Sequence, residues 1–234
     1  MKLIFACPTY GPTEPEADIS RRVAIMHAAS HGHEWLADAS PNRWGWDVAR
    51  NRVVDQAVNA KDADGNEYPD DAAIFWCDSD VVLPPDAIRR LADSGKEFVT
   101  GIYFQRRPAH MPLIAFYNGQ LFNWITNWPD NVIAPIDGCG FGCVLTSLGM
   151  LRRMEAPWFA FKKFSEDFDF CLKAKALGYP LFVDTGVICG HLKDPEPAGI
   201  ADFQRENPQF FIGGTDNGNI HDQRPKGDLA VLRD

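Results

Sequence analysis

The chain has 234 residues, 45% hydrophobic and 24% charged, with a net charge of −9 from 32 acids and 23 bases. That length suits one large domain or two small ones, and the composition is that of a globular protein with a real core. No stretch approaches the ~18 consecutive apolar residues of a membrane span, and the acidic balance disfavours duplex nucleic acid, because an acidic chain repels a polyanion at long range.

The first predicted element is a buried strand, KLIFAC at 2–7, ending in the turn PTYGP. Its short apolar run behind a single Lys is too brief for the core of a signal peptide. A helix is expected over 17–30, with Ile19, Val23 and Met26 at helical spacing. A clearer one follows over 46–60, where Val48, Val53, Val54, Ala57 and Val58 build one apolar face. Polar, turn-rich 61–71 reads as a loop, AAIFWC (72–77) as a strand, PPDAIRRLAD (84–93) as a short helix with Pro in its first turn, and EFVTGIYF (97–104) as a strand. Strands alternating with helices predict a mostly parallel α/β sheet. Residues 108–136 read as short irregular strands or loops, 147–154 and 165–178 as helices, and 179–191 as the last strands. From 193 onward Pro, Gly, Asn and Asp dominate, and this tail, with little core of its own, is expected to drape over the domain or be partly mobile.

The six cysteines (7, 77, 139, 143, 171 and 189) include no CxxC pair. Cys7, Cys77, Cys171 and Cys189 sit inside apolar segments, where a free thiol behaves as a small hydrophobe, so a reduced, cytoplasmic chain is the simplest reading. Cys139, Cys143, Cys189 and His191 form an alternative zinc set, weakened because the flanking glycines have another use. The short basic strips QRRP (105–108) and RR (152–153) read as solvated surface.

Four segments carry chemistry. In IFWCDSDVVL (74–83) two carboxylates, Asp78 and Asp80, close a buried strand at the sheet end where parallel α/β proteins bind ligands. Two such charges repel, and a divalent cation that shares its coordination with substrate phosphates, Mg²⁺ or Mn²⁺, relieves them. The alternative is a pair of exposed turn aspartates with Ser79 in an Asx-type turn. DGCGFGCVLTS (137–147) places three glycines in five positions, which permits close approach of backbone to a ligand, or else a bulged hairpin. FSEDFDF (164–170) opens a helix with Ser165 as N-cap and Glu166, Asp167 and Asp169 in the first turn. Dipole compensation alone would explain those acids, but Glu166 and Asp167 at an exposed tip aimed into a cleft suit a general base. VICGHLKD (187–194) puts His191 just beyond an apolar strand, a candidate third ligand beside the carboxylates.

Taken in order, IFWCDSDV, DGCGFGCVLTSLGMLRRMEAPWF and SEDFDFCLKAKALGYPLFVDTGVICGH resemble the signatures of GT-A-fold glycosyltransferases of the family 2-like group, over residues 1–191. The resemblance implies a Rossmann-like GT-A domain over 1–192, with a mostly parallel sheet flanked by helices. Residues 1–106 would form its nucleotide-binding half and 107–192 its acceptor-side half with a small antiparallel element, followed by the tail 193–234. It also implies transfer of a sugar from a nucleoside-diphosphate donor to a hydroxyl of a glycan, a small molecule or a modified nucleobase, with Mn²⁺ or Mg²⁺. Asp78 and Asp80 would match the DxD, with Asp80 on the metal, Asp78 on the metal or donor ribose, and Ser79 between them at the donor. Pro8, Thr9 and Tyr10 match the loop that holds the nucleotide, and Arg50 a helix residue near the donor. Gly140, Phe141 and Gly142 match the loop around donor sugar and acceptor, followed by Trp158 and Phe159 on the acceptor side. Glu166 and Asp167 match the acidic pair whose Asp is the base in inverting members, and His191 the third metal ligand.

The chain departs from the pattern in its second strand: HEWLADAS is a poor strand and Asp38 a weak substitute for the acids that grip the donor base. A ligand like His191 occurs in retaining as well as inverting relatives, and in a retaining enzyme Asp167 would not be the base. Two other classes share parts of the pattern. A haloacid-dehalogenase-type phosphatase also carries a strand and DxD, though after its first strand, with the first Asp as nucleophile. A non-catalytic sugar-binding module would use the seven Trp and sixteen Phe for stacking.

Overall fold

The computed structural model of the chain describes residues 1–9, 11, 13–192 and 198–210. In chain order its elements are β1 (Lys2–Ala6), α1 (Pro15–Ser30), β2 (Glu34–Asp38), α2 (Trp46–Val58), β3 (Ala73–Cys77), β4 (Val81–Val82), α3 (Ala87–Asp93), β5 (Phe98–Ile102), β6 (Ile114–Tyr117) and β7 (Phe122–Trp124). The rest are β8 (Ile133–Ile136), β9 (Gly138–Cys139), β10 (Cys143–Ser147), α4 (Leu148–Arg153), α5 (Glu166–Ala176), β11 (Leu181–Ile188), β12 (Gly190–His191) and α6 (Ile200–Glu206). The large sheet has the order β2-β1-β3-β10-β5-β11-β8. β2, β1, β3, β5 and β11 run one way, while β10 and β8 run against them. This is the expected α/β architecture, a mixed and mostly parallel sheet flanked by helices, with the expected small antiparallel sheet in β7-β6-β9.

The central strands read as continuous apolar runs because both of their faces are covered. Every residue of β3, β5 and β10 is buried, and the indole of Trp76 donates to Thr146 Oγ1 across the β3–β10 ladder at 2.9 Å, so its one polar atom is satisfied. One core cluster gathers Trp76, Phe98, Phe141, Phe159 and Phe170 on one face of the sheet, and a second gathers Phe5, Phe75, Val81, Ile88 and Val187 on the other.

Three expectations change. The stretch judged a poor strand, within 31–45, forms β2, pairs in parallel with β1, and ends on Asp38. As an edge strand it is only partly buried, which removes the apolar run that would have announced it. α1 buries Ala17, Arg21, Ala24 and Ala28, whereas Ile19, Val23 and Met26 are exposed. The helix packs against α3 and β4, and the alanines allow that close approach. On α2 the buried face is Ala49, Arg50, Val53, Val54 and Ala57, and Val48 turns outward.

The C-terminal stretch also holds an element the composition did not suggest. α6 inserts Phe203, fully buried, beside Phe104 and Trp128, with ring centroids 6.1 and 6.2 Å apart. The remainder of the tail, 193–197 and 211–234, lies outside the described residues, as does Tyr10.

Candidate active site

The carboxyl ends of the parallel strands open on a cavity of about 410 Å³. β1 leads into it with Pro8 and Gly11, and the first turns of α2 supply Trp46 and Arg50. β3 ends there in Asp78, Ser79 and Asp80, the loop after β5 brings Arg106, the start of α5 brings Ser165, Glu166 and Asp167, and β12 brings His191. His191 arrives through pairing rather than proximity in sequence. β12 pairs antiparallel with β4, setting His191 opposite Val81, and the Leu192 N–H donates to the Asp80 carbonyl at 2.8 Å.

Arg50 is the electrostatic centre. It is 3% exposed, and its guanidinium donates to Asp78 Oδ1 at 2.9 Å, to Glu166 Oε1 at 2.5 Å and to Asp167 Oδ1. Burial would lower its pKa, but the three carboxylates outweigh that and keep it charged. The rings of Phe141 and Phe159 lie 5.5 and 5.7 Å from its guanidinium carbon, so the cation is roofed by aromatics as well as ringed by acids. Asp167 also accepts the Phe141 backbone N–H at 3.2 Å. Burial pushes the Asp167 carboxyl up to about 8; Arg50 opposes this, and Glu166 and Asp78 add to it. Such a carboxyl can both hold and release a proton near neutrality, as a general base must.

Asp80 differs from Asp78. Burial would raise its pKa, but His191 and Arg106 outweigh that and hold it below the usual carboxylate range. Arg106 donates to Asp80 Oδ2 at 2.9 Å, and His191 Nε2 faces the same oxygen at 3.4 Å. The other ring nitrogen, Nδ1, lies 2.6 Å from the Phe104 carbonyl. A carbonyl only accepts, so Nδ1 carries the proton and Nε2 is turned to the cavity, as when a backbone partner fixes a histidine whose other nitrogen binds a metal. Among the described residues no three His, Cys, Asp or Glu side chains converge into a ready-made metal cage. Asp80 and His191 instead suit a hard cation that completes its shell with substrate oxygens.

Several predicted site residues take other positions. Glu166 is buried rather than at an exposed tip. The third acid of its motif, Asp169, accepts the backbone N–H groups of Lys162, Lys163 and Phe164, at 2.6, 2.9 and 3.1 Å, and so shapes the loop before α5. Phe141 and Phe159 are core residues, and Trp158, half-buried, donates its indole N–H to the Leu151 carbonyl at 2.8 Å; none of the three lines the cavity. Gly140 and Gly142 are needed for packing: a Cβ on Gly140 would overlap the Tyr103 hydroxyl, and one on Gly142 would lie 2.7 Å from Tyr103 Cζ. Thr9 lies beside the main cavity, in a neighbouring pocket of about 350 Å³ shared with Asp38, Ser40 and Arg21, and its N–H donates to the Pro41 carbonyl. The cysteines of the zinc alternative are buried free thiols within the core. Four cavity residues were not among the expected site residues: Gly11, read only as part of a turn, Ser165, read only as an N-cap, and Trp46 and Arg106. Trp46 had a positional signal, as the first residue of α2, whereas Arg106, four residues beyond β5, had none.

No family model and no curated protein matches the chain. In fold it is similar to the crystal structure of A197 from STIV, at 17% identity and a TM-score of 0.56, over 83% of this chain and 87% of that one. Lower scores relate it to GalNAc-T7 crystallised with UDP, GalNAc and Mn²⁺ (8% identity, TM-score 0.49, 88% of this chain but 47% of that one). They also relate it to apo UDP-glucose pyrophosphorylase (8% identity, TM-score 0.43, 90% of this chain and 98% of that one). At these identities the likeness is one of fold: an α/β chain with a mostly parallel Rossmann-like sheet.

Proposed function

We propose that the chain is a glycosyltransferase that moves a sugar from a nucleoside-diphosphate donor to an acceptor hydroxyl. The observation that carries this reading is one cavity, at the ligand-binding edge of the sheet, faced both by the Asp80–His191 pair and by Asp167, a carboxyl raised toward neutrality. The two ends divide the chemistry. Asp80 and His191 would hold Mn²⁺ or Mg²⁺, which when bound stabilises negative charge on a departing diphosphate. At the other end Asp167 accepts the acceptor's hydroxyl proton as that oxygen bonds to the anomeric carbon, while the bond to the diphosphate breaks and its electron pair leaves with the diphosphate. Arg50 orients Asp167 and Asp78 together and keeps its own charge throughout. The neighbouring pocket lined by Thr9, Arg21 and Asp38, at the ends of β1 and β2, suits the nucleoside. A phosphatase using Asp78 as nucleophile fits less well, because its DxD would follow the first strand, whereas here β1, α1, β2 and α2 all precede β3 and Asp78.

Thermal melts with UDP, GDP, ADP, CDP and dTDP, each with and without Mn²⁺, test the reading. One nucleotide is expected to raise the midpoint, with metal only, through binding linkage. Asp80→Asn should abolish the shift, whereas Asp167→Asn should keep it and lose turnover. A protein that no nucleotide stabilises, and that instead hydrolyses phosphomonoesters, is not this enzyme.

A further inference from the structure

Arg106 belongs to a dipeptide that reads as solvated surface, yet its guanidinium lies on Asp80 Oδ2, the oxygen that His191 Nε2 also faces. A guanidinium and a metal cation on that oxygen compete: each draws on its electron density, and their charges repel. The two aspartates of the pair are therefore unlike. Asp78 is paired with Arg50, which is buried and tied to two further carboxylates. Asp80 is paired with Arg106, whose side chain is 57% exposed, and an ion pair so open to solvent contributes little and exchanges easily.

The backbone under Arg106 is held. Gln105 N–H donates to the Met111 carbonyl at 2.9 Å, His110 N–H to the Arg107 carbonyl at 2.8 Å, and Asn207 Nδ2 to the Ala109 carbonyl at 2.8 Å. What can move is the long side chain, with its planar fork of donors matched to phosphate oxygens. Charge gives it a reason to move. The cavity is lined by the carboxylates Asp78, Asp80, Glu166 and Asp167 against the guanidinium groups of Arg50 and Arg106, so an entering diphosphate meets a site rich in negative charge. Arg50 is fully engaged, and Arg106 is the guanidinium that can turn toward it.

We propose that Arg106 is an exchangeable counter-ion, neutralising Asp80 in the free protein and passing to the diphosphate once a divalent cation takes the Asp80 oxygen. This deepens the nucleotide-sugar reading and rests on it. It gives Arg106 two opposed effects, competition with metal alone and cooperation with metal plus diphosphate, that a structural role would not produce.

Calorimetry on wild type, Arg106→Gln, Arg106→Lys and Asp80→Asn separates them, with two probes: Mn²⁺ alone, and inorganic pyrophosphate in saturating Mg²⁺. Arg106→Gln is expected to bind Mn²⁺ about tenfold more tightly and pyrophosphate about tenfold more weakly, with Arg106→Lys restoring part of the pyrophosphate affinity. The thermal midpoint without ligand should barely change, because the side chain is exposed. Two affinities that move in the same direction, or neither moving, would overturn the exchange. If Asp80→Asn then still abolishes Mn²⁺ binding, the metal reading survives alone. Mn²⁺ binding that persists in Asp80→Asn, or is absent from both wild type and Arg106→Gln, overturns that reading and the exchange with it.

Discussion

Asp167 is where pH should act on this protein. Its folded pKa is raised, from an ordinary 3.8 to about 8. Between those values the folded chain holds a proton that the unfolded chain has released, so this carboxyl's contribution to stability is fully present below the lower value and lost as pH rises through the higher one. Wild type should therefore lose thermal midpoint between pH 5 and 8 more steeply than Asp167→Asn; parallel curves would place the titration elsewhere. Turnover should follow the opposite course, rising toward a plateau above pH 8, with Asp167→Asn about 10²–10⁴-fold slower. Arg50→Met would leave Asp78, Glu166 and Asp167 facing one another without a counter-charge, at a cost of about 3–5 kcal/mol in urea unfolding. Arg50→Lys keeps the charge but not the fork, and should lose less. The acids of this cluster were legible because each interrupts an apolar run or opens a helix. Arg106 was not, since nothing in QRRP reveals that β5, flanked by β10 and β11, delivers it to Asp80.

The helices and strands show the same division between what pattern reveals and what packing decides. β3 stood out because full burial leaves an unbroken apolar run, and β1 and β5 because theirs are interrupted only by Lys2 at the strand end and by Thr100. α1 was visible as a helix, but its apolar spacing marked the wrong face. The rule that large apolar residues point inward fails where two helices approach closely, since there small residues are required. Ala24 is completely buried, whereas Met26 is 71% exposed. Ala24→Leu should over-pack the contact with α3 and β4 and cost about 1–3 kcal/mol. Met26→Lys should stay within about 0.5 kcal/mol of wild type. Denaturant midpoints with equal slopes compare the two directly, and a costly Met26→Lys would return the helix to the face its spacing suggests. The glycine-rich turn before β10 was likewise legible as a tight turn, but its cause was not. Gly140 and Gly142 make room for the buried Tyr103 ring, a partner nearly 40 positions away that no local pattern could show.

Across the whole molecule, the C-terminal segment is joined to the cavity through the loop after β5. Phe203 packs on Phe104, the Phe104 carbonyl sets the His191 ring, Glu206 pairs with His110 at 2.6 Å, and Asn207 binds the Ala109 carbonyl. Composition concealed this, because one buried aromatic in a Pro- and Gly-rich stretch does not resemble a helix with an apolar face. Emptying that contact should have effects at two distances. Phe203→Ala removes a fully buried ring and should cost about 3–5 kcal/mol, a fall in midpoint on the order of 10 °C. Phe210, 42% exposed, serves as the control, and Phe210→Ala should cost far less. The second effect is the informative one. If the segment anchors the Arg106 loop, amide exchange at Gln105 and His110, whose N–H groups bond within that loop, should quicken in Phe203→Ala beyond what the global loss of stability produces. Faster exchange confined to α6 would show instead that the helix rests on the core without holding the loop, and that the Arg106 side chain moves on a backbone stabilised by β5 and β6 alone.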